Sequence, residues 1–67
     1  MSNSFPAWFE TTRKKKNLSQ IQAAKQLRLS SPTVSRWENG TEPRAKHLPR
    51  IVKWAPITAE ALLKLFE

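Results

Sequence analysis

Apolar residues recur along this chain at intervals of three and four, the spacing of a helix stripe. Phe5, Trp8, Phe9 and Thr12 open the pattern, with Ser4 as a cap and Pro6 in the first turn, where a missing N–H costs nothing. This helix is predicted to reach about Lys15 and stops in "RKKKN". Ser19 then caps "SQIQAAKQL", about eight residues with Ala23, Ala24 and Leu27 on the inner face. "RLS" is a tight connection. Ser30 caps a third helix in "SSPTVSRWENG", where Val34 and Trp37 lie one turn apart and Gly40 supplies a left-handed stop. "TEPRA" is a loop, and Leu48, Ile51, Val52 and Trp54 mark a fourth helix that starts close before Pro49. After "APIT", Thr58 caps "AEALLKLFE", in which Leu62, Leu63, Leu65 and Phe66 nearly encircle the segment. That is too much apolar surface for one wet helix. Part of it is expected to bury against the core and the rest against a second copy. The pattern predicts an all-α, compact bundle of five short helices forming a single domain over residues 1–67.

Size limits what such a bundle can be. At 67 residues, a single core supplies only about 3 to 5 kcal/mol. The chain has no cysteine, so disulfides and thiolate metal sites are excluded, leaving tight packing and self-association as supports. The formal charge is +7, and eleven of the twelve Lys and Arg residues precede Ala55. A basic field of this kind attracts polyanions, either nucleic acid or an acidic membrane surface. No apolar run approaches the roughly 20 residues of a membrane span, and the N-terminus lacks the pattern of a secretory leader, so a cytoplasmic protein is expected.

Two short helices joined by a few residues, the second rich in small polar groups and arginine, suit the reading of a major groove. Small residues at its front let the backbone approach DNA, and Thr, Ser and Arg reach base edges and phosphates. Val34 and Trp37 would hold the helix from behind. "LSQIQAAKQLRLSSPTVSRWENGTEP" resembles the helix-turn-helix of the phage repressor and Cro family over Arg13 to about Trp54, with the motif at about residues 19–38. The turn departs from that family, which usually has glycine where this chain has Arg28. Either the turn geometry differs or Arg28 takes a left-handed conformation at some cost.

The resemblance implies roles position by position. Gln20 would touch a phosphate and brace Ser31, the first residue of the recognition helix. Ser31, Pro32, Thr33 and Arg36 would point into the major groove. Arg36 could pair in bidentate fashion with a guanine, and Pro32 could offer only shape and an apolar contact. Ser35, Asn39, Thr41, Arg44 and Lys46 would lie along the backbone, with Arg44 placed to enter a narrow minor groove. Arg13 and Glu38 would pair to tie helix 1 to the end of helix 3. Lys14, Lys15 and Lys16 are either further phosphate contacts or a solvated run. Trp8, Trp37 and Trp54 sit at helical spacing with other apolar residues and are assigned to the core rather than to base stacking. Ile21, where the family has a polar group, either covers part of helix 1 or stays exposed.

Catalytic chemistry is not expected. His47, assigned to the outer face of helix 4, has no second histidine or cysteine with which to share a metal. Glu10, Glu38, Glu42, Glu60 and Glu67 are dispersed, and one glycine cannot form a phosphate loop. No metal, cofactor or small-molecule substrate is implied. The leading expectation is a sequence-specific, double-stranded DNA-binding repressor acting as a dimer through Ile57, Leu62, Leu65 and Phe66 in the segment of about residues 58–66. The rival is an antitoxin-like module that binds a protein partner through the same apolar end. Membrane binding by "WFETTRKKK" is a weaker third option because its stripe is short.

Overall fold

Each apolar stripe becomes a helix because its polar flanks supply a start and a stop. The computed structural model describes residues 4–67, so Met1, Ser2 and Asn3 of the expected domain lie outside it. Five α-helices follow in order, α1 (Phe5–Lys15), α2 (Gln20–Leu27), α3 (Ser31–Glu38), α4 (Leu48–Trp54) and α5 (Ala59–Lys64). A single 3₁₀ turn, Ala45–His47, leads into α4. Pro6, Pro32 and Pro49 each fall in the opening residues of a helix, where an N–H would have no intrahelical partner.

The caps divide into two kinds. Ser19 and Gln22 form a reciprocal box: the Gln22 N–H donates to Ser19 Oγ at 3.1 Å, and the Ser19 N–H donates to Gln22 Oε1 at 2.8 Å. Thr58 accepts from the Ala61 N–H at 3.1 Å. Ser30 occupies the capping position of α3, but its hydroxyl meets Thr33 Oγ1 at 2.8 Å and accepts no backbone bond. The expected side-chain cap fails there for a local reason. Pro32 has no N–H to give, and the Thr33 N–H is already bound to the Ser30 carbonyl at 3.1 Å.

Three helices stop in the same way. After α1, α2 and α3, residues Asn17, Arg28 and Gly40 have φ of +57°, +60° and +113°. The following N–H reaches back five residues in each case, Leu18 to the Arg13 carbonyl, Leu29 to Ala24 and Thr41 to Arg36. Gly40 behaves as its type suggests. Arg28 takes the left-handed conformation, which costs a residue with a Cβ roughly 1 to 2 kcal/mol.

The core gathers Phe5, Phe9, Ala23, Ala24, Leu27, Val34, Trp37, Ile51 and Leu62. Contact is most extensive between α2 and α3. Trp37 is 3% exposed. Its indole stands edge-on to Phe9 at 5.6 Å and 88° and to Phe5 at 5.8 Å and 72°, the favoured geometry for aromatic pairs. Trp54 stacks on Phe9 at 5.0 Å, and Trp8 lies beside Phe5 at 5.7 Å, so both remaining tryptophans pack on the core from its edge.

The C-terminal segment corrects an expectation. Leu62 was assigned to a dimer surface, yet it is 1% exposed and belongs to the core. Ile57, Leu65 and Phe66 are partly buried against that core, with Phe66 stacked on Phe5 at 5.2 Å. A helix this short turns its apolar face inward to close the bundle, and Leu63 is the leucine left outside, 56% exposed.

The register of α3 can be tested through its buried indole. Trp37→Ala should destabilise the fold by about 3 to 5 kcal/mol, enough to abolish cooperative urea unfolding in so small a domain. A variant with an unchanged urea midpoint would contradict the packing described here.

Candidate nucleic-acid interface

Glu38, the last residue of α3, is the junction of three helices. Its carboxylate accepts from Arg13 Nε at 2.6 Å and Nη2 at 3.1 Å, and from Gln20 Nε2 at 3.1 Å. Arg13 Nη1 also donates to the Leu18 carbonyl at 2.8 Å, which ties the α1–α2 connection into the same network. The Arg13 and Glu38 side chains are only 11% and 6% exposed, so this is not a weak surface pair. Removing either partner leaves the other charge part-buried and unpaired, a larger loss than at an exposed pair. The hydrogen bond to Glu38 holds the Arg13 pKa above its ordinary value despite the opposing effect of burial. Gln20 was expected to brace Ser31 at the start of α3. It braces Glu38 at the end instead, where an ionised carboxylate is a stronger acceptor than a serine hydroxyl.

With its inner face held by Val34 and Trp37, α3 presents Pro32 and Arg36 to solvent, and Ser31, Thr33 and Ser35 are half-buried. The structure brings Thr33, Arg36, Thr41 and Arg44 together along one cleft of about 300 Å³ between α3 and the loop that follows it. Trp37, Glu42 and His47 complete its wall. Asn39 turns back on α3, its Nδ2 donating to the Ser35 carbonyl at 2.9 Å. Ser31, Pro32 and Lys46 are not among the cleft residues; Ser31 and Pro32 lie at the tip of α3, and Lys46 is exposed in the 3₁₀ turn.

The residues around this face sort the remaining basic groups. Lys14 pairs with Glu10 one turn back at 3.2 Å, and Lys16 lies over the Trp54 ring at 5.4 Å. Neither is part of the cleft. Ile21 is 58% exposed beside Gln20 on the first turn of α2 and covers nothing in the core.

Two members of the cleft were missed from sequence. Glu42 lies in the loop between Thr41 and Arg44, and that spacing was the available signal. His47 was assigned to the outer face of helix 4, but it ends the 3₁₀ turn before α4, with its ring 5.7 Å from Trp37. Its Nδ1 is buried without a hydrogen-bond partner. Pro49 sets this position by starting the regular helix at Leu48.

A family model described as helix-turn-helix matches residues 10–53, a span that includes the second half of α1, the α2–turn–α3 unit, the cleft and nearly all of α4. The chain belongs to the helix-turn-helix family of phage repressor and Cro type. Searches of curated proteins and of solved structures gave no match. This helix-turn-helix protein is therefore a DNA-binding transcription regulator, of a family that is typically non-enzymatic. No helix among the described residues is long and apolar enough to cross a membrane.

Burial lowers the His47 pKa from its usual 6.5, and the neighbouring charges of Lys46, Arg50 and Arg44 act in the same direction. The unfolded chain therefore takes up the proton before the folded helix-turn-helix does. This contribution to stability is present above about pH 6.5 and is lost as the pH falls through the lowered native value. Urea midpoints should drop between neutral pH and mild acid, and His47→Gln should remove most of that drop. An identical pH dependence in the variant would show that His47 is not its source.

Proposed function

We propose that this helix-turn-helix regulator is a sequence-specific repressor that binds a near-palindromic operator as a homodimer and blocks transcription by occupying it. The reading rests on the division of α3, whose Val34 and Trp37 are in the core while Pro32 and Arg36 are exposed. In this assignment α3 enters the major groove. Arg36 pairs with a guanine, Ser31 and Thr33 reach base edges or phosphates, and Pro32 offers an apolar contact to a thymine methyl. Ser35, Asn39, Thr41 and Lys46 follow the backbone, and Arg44 reaches the minor groove. Gln20 gives one Nε2–H to Glu38, which leaves the second N–H of the same amide to donate to a phosphate at the start of α2. Two copies would place their recognition helices about 34 Å apart, one turn of duplex. Leu63, exposed on α5, is the candidate centre of the contact between copies. The rival assignment, an antitoxin-like module binding protein through its apolar end, loses the same residues as the expected dimer contact and leaves the exposed side of α3, Pro32 and Arg36, without a role. Leu62 is taken up by the core and Phe66 is stacked on Phe5.

Selection from a pool of random duplexes should enrich a motif with two related half-sites; recovery of no motif would favour the rival. Arg36→Ala should flatten discrimination among variants of that motif, by about 1 to 3 kcal/mol at the base it reads. Arg44→Ala should weaken binding to all sequences alike and lower the slope of log affinity against log salt by about one. Undiminished selectivity in the first variant, or an unchanged slope in the second, would remove that residue from its assigned role.

A further inference from the structure

A second basic surface lies away from the cleft, where α1, α2 and α4 end together. Lys16, Arg28, Arg50 and Lys53 line an open concavity of about 600 Å³, with Trp54 and Gln26 in its wall and no residue of α3. No carboxylate lines it. The ion pairs among the described residues are Arg13 with Glu38, Lys14 with Glu10 and Lys64 with Glu60, so none of the four cations is neutralised in this way.

Cations at helix C-termini have an ordinary explanation, since each end carries about half a negative charge. Three such ends offset roughly one and a half of the four positive charges. The excess, above two, is left facing solvent in one concavity. Arg28 adds a separate cost, because its φ of +60° is one that glycine would adopt without strain, yet the position carries a guanidinium.

Two of the four cations, Arg50 and Lys16, are also restrained. Arg50 Nη1 donates to the Leu27 and Arg28 carbonyls at 3.3 and 3.4 Å. Trp54 Nε1 donates to Gln26 Oε1 at 2.9 Å, and the Lys16 ammonium rests 5.4 Å from the centre of that indole. A ligand would therefore meet two cations whose freedom is already restricted, which lowers the entropy lost on binding there.

We infer that this concavity is a phosphate-binding site, formed by Lys16, Arg28, Arg50 and Lys53 and suited to a chain of phosphates rather than to a single carboxylate. Guanidinium forks match phosphate oxygens in bidentate fashion, and the surplus charge calls for more than one anionic group. Arg28 lies two residues before Ser30, in the turn that delivers α3. Phosphodiesters beside the groove read by α3 are thus one source of the ligand, and that source rests on the DNA-binding proposal above. A free inorganic polyphosphate is the other, and it does not.

The test compares wild type with the double variant Arg28→Gly/Lys53→Gln. Glycine relieves the left-handed position, so the variant should unfold cooperatively with an unreduced Tm. In one arm, sodium tripolyphosphate is titrated against ¹⁵N-labelled protein, with sodium chloride of equal ionic strength as control. The Trp54 indole N–H and the amides of Arg28 and Lys53 should shift in wild type, and the indole should stay unmoved in the variant. In the other arm, affinity for a mixed-sequence duplex is measured against salt, and the slope should fall by about two in the variant. A response in the tripolyphosphate arm alone assigns the site to a free anion, and a response in the duplex arm alone assigns it to the DNA backbone. Identical behaviour of the two proteins in both arms overturns the inference. Failure of both proteins to bind any duplex would sink the DNA reading, and the tripolyphosphate arm would still decide this one.

Discussion

The arrangement depends on the indole of Trp37 standing edge-on between Phe9 and Phe5. That contact joins α3 to α1, and with Val34 it decides which side of an eight-residue helix is inside. A segment of two turns has little stability of its own. Its orientation is set by tertiary packing, so the rotation of α3 about its axis follows from where one aromatic side chain finds its neighbours. The outward display of Arg36 and Pro32 is the geometric complement of that choice.

Packing fixes the rotation of α3, and Glu38 fixes its far end. One carboxylate receives Arg13 from α1 and Gln20 from α2, so three elements share a single part-buried acceptor. Such a network acts as a unit. The beginning of α3 is held differently, by the Ser30–Thr33 hydroxyl contact and by Pro32, whose ring fixes φ. The tip of the helix therefore has lighter restraints than its base.

Much of the fold was legible because stripes, caps and prolines agree with one another. Ser19 and Thr58 cap where their positions before apolar runs suggest, and Val34 and Trp37 face inward as their spacing requires. The site was less legible. Sequence spacing indicates which residues share a face, but it does not rank competing partners, and Gln20 found Glu38 rather than Ser31. Nor does it weigh a short helix's own core against another copy, which is why Leu62 was misassigned. The place of His47 depended on where a 3₁₀ turn passes into α4, a boundary that no periodicity marks.

The two sides of α3 have a consequence for how such a protein can change. Since the bundle closes beneath Pro32 and Arg36 through other residues, alterations at these two positions need no repacking underneath. A few codon changes could retune the outer surface while the scaffold stays constant. The helix then resembles a key blank, cut on one edge and gripped by the other.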